Sequence, residues 1–328
     1  MAKIRSRIRG TGHFVPAKVL TNFDLEKMVD TTDEWIRTRT GIRERRIASE
    51  DQYLSQFCTE AARQALEMAD TKPEELDLIL LATVTMDQPI PATSCFVQAN
   101  LGAKKAAAMD LQAGCSGFIY ALSMADAYIR AGVYRHILVI GGEVLSKYVD
   151  WKDRATCVLF ADGAGAVVLK AEEGEHGILS SAIHSDGNMA DFITLPGGGS
   201  KIPVSHAMIE ANHHTIKMKG GETFKLAVRS IEGACRESID AAGLTPADVR
   251  WFVPHQANTR IISAVGDRLG WPPETIYINI DRIGNTSAGS IPIALDEIVR
   301  SGKVQEGDTL LFAAFGAGLT WGSALVRW

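Results

Sequence analysis

The sequence lacks any apolar run approaching the roughly 20 residues that a helix needs to cross a bilayer. Its first 16 residues are basic but have no apolar stretch of the kind found in signal peptides. Positive charge is not in excess, because 34 lysines and arginines stand against 39 acidic residues and give a net charge of −5. We therefore expect a cytoplasmic protein that does not bind membranes and has no extended nucleic-acid surface.

Cysteine is sparse, and its placement offers no pattern for a disulfide framework or a zinc site. The five cysteines are odd in number and include no CxxC pair. His213 and His214 are adjacent, which is poor spacing for two ligands on one helix or strand, so we expect no metal. Three cysteines lie within apolar patterns and are predicted core residues, namely Cys58, Cys157 and Cys235.

Two parts of the chain resemble each other in the same order, which indicates an internal repeat. The matching pairs are residues 73–82 with 246–255, 114–117 with 284–289, 129–132 with 299–302, and 159–169 with 311–326. The offset stays near 170 to 173 residues until the last pair, where it falls to 153. About 17 extra residues are therefore expected in the first half, around 141–157.

Hydrophobic periodicity predicts alternating strands and helices, the pattern of an α/β protein with mainly parallel strands. Strands are predicted at 77–84, 137–141 and 310–314, and helices at 53–69, 117–131, 223–242, 258–269 and 290–300. The helix at 117–131 carries few charges and should be buried on several sides. This fits two α/β halves packed face to face, joined near the polar stretch 171–177.

Cys115 is the candidate nucleophile, because it follows a short apolar strand and opens the buried helix. The partial positive charge of a helix N-terminus should lower the pKa of its thiol. Gly114 and Gly117 leave the backbone open to a substrate, and the amides there could face a developing oxyanion. Applying the repeat offset of 170 to Cys115 leads to Asn285, which we expect in the equivalent turn of the second half.

His255 completes a candidate triad, since it follows a predicted strand in the half that also carries Asn285. Cysteine, histidine and asparagine suit two different chemistries. In a cysteine hydrolase the asparagine orients the histidine, which activates the thiol. In a condensing enzyme the cysteine carries an acyl group, while neutral histidine and asparagine both donate hydrogen bonds to an enolate oxygen. The residue types alone leave both chemistries open.

Five segments closely resemble the β-ketoacyl-acyl-carrier-protein synthase III family, and the resemblance covers nearly the whole chain. They are VDTTDEWIRTRTGIRERRIA at 29–48, GCSGFIYAL at 114–122, VPHQANTRII at 253–262, GNTSAGSIPIALDE at 284–297 and FGAGLTWGSALVRW at 315–328. The resemblance implies a thiolase-like α/β fold, in which two related halves, residues 1–173 and 174–328, form a five-layer α-β-α-β-α sandwich. It also implies a homodimer.

The activity implied by the resemblance is a decarboxylative Claisen condensation that begins type II fatty-acid synthesis. Acyl-CoA would load Cys115, and His255 and Asn285 would stabilise the enolate formed from malonyl-acyl-carrier protein. Backbone amides of Cys115 and Ala317 would hold the thioester oxygen. No cofactor is implied, because acyl-CoA is a substrate. A secondary-metabolite condensing enzyme or acyltransferase of the same fold is an alternative, and a Cys-His-Asn hydrolase is another.

Binding residues for CoA are also implied by the resemblance. The adenine would lie between Trp35 and Arg154, with Arg39 near the phosphates, because aromatic and guanidinium planes both stack on a base. Further CoA or substrate contacts would be Phe224, Ala257 and Asn258.

The resemblance further implies a surface for the acidic carrier protein. Its residues would be Gln256, Arg260, Lys225 and Arg268. Ile90 stands where a phenylalanine often closes the acyl pocket from the partner subunit. The smaller side chain is expected to admit longer or branched primers.

Overall fold

The computed structural model describes residues 3–328, apart from the side chain of Glu222. These residues form both strands and helices. The strands are β1 (Ile4–Phe14), β2 (Val19–Thr21), β3 (Glu44–Arg46), β4 (Leu78–Ala82), β5 (Ala107–Leu111), β6 (His136–Val144), β7 (Asp162–Glu173), β8 (Gly177–Ser185), β9 (Ile193–Thr194), β10 (Lys217–Met218), β11 (Trp251–Pro254), β12 (Thr309–Gly316) and β13 (Thr320–Arg327). The helices are α1 (Asn22–Leu25), α2 (Asp33–Thr40), α3 (Leu54–Met68), α4 (Thr93–Leu101), α5 (Gly117–Arg130), α6 (His206–Glu210), α7 (Gly220–Ala241), α8 (Thr259–Leu269), α9 (Ile280–Ile283) and α10 (Ser290–Arg300). Short 3-10 turns, Gly114–Ser116 and Ser287–Gly289, lead directly into α5 and α10.

Two mixed sheets form the framework. The first has the strand order β1-β7-β6-β4-β5, and the second has the order β11-β12-β13-β8. Strand β4 runs parallel to β5 and β6, and β11 runs parallel to β12, whereas the other pairs in these sheets are antiparallel. The prediction of mainly parallel strands is therefore wrong. Each half ends in two strands, β6–β7 and β12–β13, that pair antiparallel without a helical crossover between them.

Helices cover both sheets and also separate them, which gives five layers. Helix α3 packs on one face of the first sheet, and α7 and α8 pack on one face of the second. Helices α5 and α10 lie between the sheets, in a core cluster that draws residues from both. The predicted thiolase-like five-layer sandwich is confirmed, and so is the burial of the helix that begins at Gly117.

Each sheet comes from one part of the chain. The strands of the first sheet lie within residues 4–173, and those of the second lie within residues 177–327. This distribution supports a division into halves 1–173 and 174–328, which stays a prediction. The connection from β6 to β7 spans residues 145–161, whereas residues 317–319 alone join β12 to β13. The extra segment in the first half thus lies slightly later than predicted.

The two halves meet backbone to backbone at the starts of the central helices. The turn before α10 lies against Gly141 of β6, where a Cβ atom would overlap the carbonyl oxygen of Ala288. The turn before α5 lies against Gly316 of β12, where a Cβ atom would come 2.5 Å from the amide nitrogen of Cys115. Only glycine allows these contacts, so each half places its turn on a strand of the other half.

The described residues also bear on the expectations for cysteine, metal and membrane. Cys58, Cys157 and Cys235 are fully buried, which confirms their assignment to the core. Between residues 3 and 328, no group of three or more histidine, cysteine or acidic side chains could hold a metal ion. Within the same range, no helix has both the length and the apolar character needed to cross a membrane.

Replacing Phe312 by alanine should destabilise the fold, because its ring is fully buried in the layer between the sheets. Removing a buried phenylalanine ring costs about 3–5 kcal/mol of unfolding free energy. Phe23→Ala is the matched control, since Phe23 is 61% exposed and its loss should change stability by less than about 0.5 kcal/mol. Chemical denaturation followed by circular dichroism measures both variants, and equal losses would contradict this placement of the core.

Candidate active site

Cys115 lies in the turn that opens central helix α5, and the second half holds that turn in place. The Ser116 hydroxyl donates to the carbonyl oxygen of Thr320 at 3.0 Å. The Thr320 hydroxyl donates in return to the carbonyl oxygen of Ala113 at 2.8 Å. These two buried hydrogen bonds fix the backbone on both sides of the thiol, so its position depends on the contact between the halves.

The two amides expected to form the oxyanion hole lie close together. Besides the contact of Gly316 with the Cys115 amide, a Cβ atom at Gly114 would come 2.8 Å from the amide nitrogen of Ala317. Gly114 also has a φ of +52°, which L side chains rarely adopt. The backbone at 114–115 is therefore packed directly against 316–317. Their role as donors to a thioester oxygen stays a prediction.

Burial raises the pKa of the Cys115 thiol to about 11. A hydrogen bond with the Ser287 side chain lowers the pKa, and the negative charge of Glu143 raises it. The expected lowering of the pKa by the helix N-terminus is therefore wrong in its net direction. The reason is that loss of water around the thiol outweighs the contacts that favour thiolate.

Asn285 lies in the turn before α10, and its side chain is oriented by the backbone. Its Oδ1 atom accepts a hydrogen bond from the Ser287 N–H at 2.9 Å, which leaves the NH₂ group available as a donor. The Asn285 backbone also bonds to Leu159 and Ala161 of the first half. This turn is therefore anchored across the contact between the halves.

The repeat offset used to reach Asn285 needs a correction. Helix α5 begins at residue 117 and α10 begins at residue 290, so the offset at this point is 173 residues. The residue equivalent to Cys115 is then Ala288, and Asn285 comes earlier in the same turn. The offset of 170 holds only at the helix ends, because α5 has 14 residues and α10 has 11.

His255 follows β11 and is held in one tautomer. Its Nδ1 atom lies 2.6 Å from the Ser290 hydroxyl oxygen, which also accepts from the backbone N–H of Gln256 at 3.2 Å. We therefore assign the Ser290 proton to the bond with Nδ1, which leaves the imidazole proton on Nε2. Burial lowers the pKa of His255 to about 3, so the ring is neutral at physiological pH.

Two serines at the start of α10 position the candidate catalytic side chains. Ser287 contacts Cys115 through its side chain and Asn285 through its backbone, and Ser290 contacts His255. Among the hydrogen bonds of residues 3–328, none joins Asn285 to His255. Each of these two side chains is therefore positioned by its own serine, with an N–H group left over for a third partner.

The sequence patterns do not single out Glu143, a fully buried residue at the end of β6 that adjoins this centre. Burial raises its pKa to about 7. It lies at the end of a buried strand, so the strand-end rule that identifies His255 could also have found it. The groups that donate to its carboxylate are the Thr83 hydroxyl (3.0 Å), the Thr85 hydroxyl (2.5 Å), the Val84 N–H (3.1 Å) and the Ser287 hydroxyl (3.3 Å).

The structure brings Trp35, Arg39 and Arg154 together at the surface. The guanidinium carbons of Arg39 and Arg154 lie 4.7 Å and 5.0 Å from the centroid of the Trp35 ring. Arg154 also donates to the carbonyl oxygen of Asp30 at 2.8 Å. Because Arg154 already stacks on Trp35, a base could enter between them only after Arg154 moves. Their role in binding CoA stays a prediction.

Family comparisons cover this centre and most of the chain. A family model described as 3-oxoacyl-[acyl-carrier-protein (ACP)] synthase III matches residues 109–187, and the model of its C-terminal part matches residues 239–328. The beta-ketoacyl-[acyl-carrier-protein] synthase III of Caldanaerobacter subterraneus is 55% identical over 326 residues, which cover 99% of this chain and 98% of the relative. This chain belongs to the β-ketoacyl-acyl-carrier-protein synthase III family. The predicted enzyme class, a condensing acyltransferase of this family, is therefore confirmed.

Solved structures of this family share the fold closely. The 3-oxoacyl-[acyl-carrier-protein] synthase III of Aquifex aeolicus is 50% identical, with a TM-score of 0.92, and the match covers 98% of this chain and all of that one. A priming β-ketosynthase of the R1128 polyketide biosynthetic pathway is 36% identical, with a TM-score of 0.92, over 100% of this chain and 97% of that one. The architecture is thus shared by a synthase III and by a polyketide enzyme.

One of the residues expected to contact the carrier protein in this synthase family is wrongly assigned. Gln256 is only 1% exposed, its NH₂ group donates to Pro254 and Tyr277, and its Oε1 atom accepts from the Asn279 N–H. A buried side chain with its polar atoms engaged cannot reach a partner protein. The sequence gives no sign of this structural role, because Gln256 stands in the same motif as the exposed Arg260.

The other expected contacts of the synthase lie nearer the surface. Arg260 is exposed and lies 5.3 Å over the partly buried Phe224 ring. Lys225 and Arg268 are also exposed, and Arg268 pairs with Glu232 at 2.8 Å.

Two expected substrate contacts, Ala257 and Asn258, are partly buried before α8. Asn258 caps α8 by accepting from the Arg260 N–H, and it donates to the carbonyl oxygen of Arg39 at 2.8 Å. It therefore has a structural role whether or not CoA binds there. Ile90 is 84% exposed, so its predicted gate role requires a partner subunit.

The Cys115 thiol of the free synthase should stay protonated up to about pH 9, because burial raises its pKa to about 11. Thiolate absorbs in the ultraviolet, so the difference in absorbance between the wild type and Cys115→Ala during a pH titration measures this group. Both proteins retain Cys95, the other partly exposed cysteine, and its signal cancels. A thiolate midpoint below about pH 8 would show that the helix N-terminus prevails over burial.

Proposed function

We propose that this chain condenses a short acyl-CoA primer with malonyl-acyl-carrier protein, through an acyl-Cys115 intermediate, and so begins type II fatty-acid synthesis. In the first step the Cys115 sulfur attacks the acyl carbonyl carbon, and the carbon–sulfur bond to CoA breaks. The backbone amides of Cys115 and Ala317 would donate to the oxygen that becomes negative. The direct packing of the backbone at 114–115 against the backbone at 316–317 supports that role.

The second step requires two donors for one oxygen. When the malonyl group loses CO₂, the electron pair of the broken carbon–carbon bond moves onto the thioester oxygen. His255 Nε2–H and the Asn285 NH₂ group would donate to this enolate oxygen, which lowers the barrier without proton transfer. The enolate carbon then attacks the acyl carbon on Cys115, and the cysteine sulfur leaves and takes up a proton.

The independent positioning of His255 and Asn285 carries this proposal. In a Cys-His-Asn hydrolase the asparagine would orient the histidine. Here Ser290 orients His255, and the Ser287 amide orients Asn285. A neutral histidine with a pKa of about 3 is also a poor general base but a suitable hydrogen-bond donor. The arrangement therefore favours enolate stabilisation over hydrolysis.

A second candidate is condensation in secondary metabolism. The R1128 priming ketosynthase favours it, since it shares the fold at a TM-score of 0.92. Its identity of 36% is lower than the 55% found for the Caldanaerobacter synthase III, which favours fatty-acid initiation. The mass of the product formed with malonyl-acyl-carrier protein and a panel of primers would separate the two.

We also propose the partners and their surfaces. Trp35, Arg39 and Arg154 would bind the nucleotide end of CoA, and Phe224 would line the path to the thiol. The exposed Lys225, Arg260 and Arg268 would attract an acidic carrier protein. The active form would be a homodimer, in which Ile90 of each subunit faces the acyl pocket of the other.

His255→Ala and Asn285→Ala should still form the acyl adduct but fail in condensation. Each removes one donor to the enolate, which should lower the rate by on the order of a hundredfold or more. Mass spectrometry after incubation with acetyl-CoA measures the adduct on Cys115, and CO₂ release from malonyl-acyl-carrier protein measures decarboxylation. The exposed residues His206 and Asn188 provide matched controls, His206→Ala and Asn188→Ala. Release of free acid from the adduct, without carbon–carbon bond formation, would identify a hydrolase instead.

Ile90→Phe should narrow the range of primers toward acetyl-CoA, because a larger side chain would fill part of the acyl pocket of the partner subunit. Ile90→Leu preserves the volume and serves as the control. The ratio of kcat/KM for octanoyl-CoA or isobutyryl-CoA to that for acetyl-CoA should fall only in the phenylalanine variant. A wild type that accepts only acetyl-CoA would contradict the prediction that Ile90 admits longer or branched primers.

A further inference from the structure

Glu143 is a buried carboxylate that the reaction described above does not use. It is fully buried, and its oxygens accept hydrogen bonds from neutral donors of the segment 83–85 and from Ser287. The ion pairs of residues 3–328 do not include it. A buried carboxylate without a cationic partner is costly, so its position beside the active centre calls for an explanation.

Ser287 joins Glu143 to the nucleophile. Its hydroxyl donates to Glu143 at 3.3 Å, its turn packs against the turn that carries Cys115, and its side chain lowers the pKa of the Cys115 thiol. Its φ of +49° is uncommon for a residue other than glycine, and such strain often marks functional positions. In this conformation its backbone N–H donates to Asn285 while its side chain donates to Glu143.

Loading of the acyl group needs a proton acceptor. The Cys115 thiol is protonated in its buried setting, and only the thiolate is an effective nucleophile. The neutral His255 does not supply a base, because burial lowers its pKa to about 3. Glu143 accepts a hydrogen bond from Ser287 and has suitable strength as a base, since burial raises its pKa from 4.5 to about 7.

We propose that Glu143 is a positioning residue for acyl loading, which draws the proton of Cys115 through the hydroxyl of Ser287. This inference rests on the proposed acyl-Cys115 intermediate. As the sulfur attacks the acyl carbon, its proton passes to Ser287 Oγ, and the Ser287 hydroxyl proton passes to the Glu143 carboxylate. When the carbon–sulfur bond to CoA breaks, the Ser287 hydroxyl donates its proton to the leaving CoA thiolate, and Glu143 returns a proton to Ser287 Oγ. The sum is a thiol and a thioester exchanging acyl groups, with no net proton change.

The groups around Glu143 allow this relay. The titratable side chains that respond to its charge are Cys115, Cys58 and Tyr148, and that charge raises the pKa of each. Asp87 acts on Cys58 and Tyr148 in the same direction. The negative charges near the site thus disfavour ionisation of these thiols and of the Tyr148 hydroxyl. Cys58 is fully buried on α3, which leaves Cys115 as the thiol linked to Ser287.

The test is the pH dependence of acyl loading by acetyl-CoA, measured in single turnovers by the mass of the Cys115 adduct. In the wild type the rate should fall about tenfold per pH unit below about pH 7, where Glu143 becomes protonated, and should level off above it. Glu143→Gln should lower the rate at neutral pH by about a hundredfold and abolish the levelling, so that the rate keeps rising with pH. Ser287→Ala removes the hydroxyl but keeps the amide that holds Asn285, and it should behave in the same way.

Controls separate the relay from a general loss of structure. Asp162→Asn alters another fully buried carboxylate held by a serine hydroxyl and backbone amides, and it should keep the inflection near pH 7. Ser287→Gly suits the positive φ and replaces Ser287→Ala should the alanine variant not fold. Variants that fold, bind CoA and retain the wild-type inflection would overturn the relay. Absence of any adduct in the wild type would overturn the proposed function, and the relay with it.

Discussion

The active centre depends on a reciprocal contact between the two halves of the chain. The turn before α5 rests on Gly316 of the second half, and the turn before α10 rests on Gly141 of the first. Side chains on these strands would separate the turns and the residues that they carry. The close approach of two backbones is therefore the constraint on which the position of Cys115 relative to Ser287 and Asn285 depends.

Much of the fold could be predicted, because the apolar patterns are strong and occur twice. The helix predicted at 290–300 has those bounds in the structure, and the helix predicted at 117–131 ends one residue earlier. The direction of the strands could not be predicted in this way. Periodicity identifies a strand but not its partner, and the antiparallel returns β6–β7 and β12–β13 depend on contacts distant in sequence.

Some residues of the candidate site could be predicted from the sequence and others could not. The turn and strand-end rules identify Cys115 and His255, since their place in the pattern is local. Ser290 acts only through a neighbour far away in sequence, so nothing local marks it, whereas the strand end marks the position of Glu143 but not its contact with Ser287. The motif also gives no sign of burial. Gln256 is enclosed although Arg260 in the same motif is exposed, and the pKa of Cys115 follows its surroundings rather than the helix start.

The long connection at 145–161 makes the two related halves differ at the surface. An internal repeat alone would give two matching surfaces and no reason for a ligand to prefer either one. The connection packs with α2 in a core cluster of its own, which includes Ile36, Leu145 and Val158. It also places Arg154 over the ring of Trp35. The duplicated framework thus supports the bond-making chemistry. The connection at 145–161 has no counterpart of similar length in the second half, so it makes the surface near Trp35 different from the equivalent surface of that half.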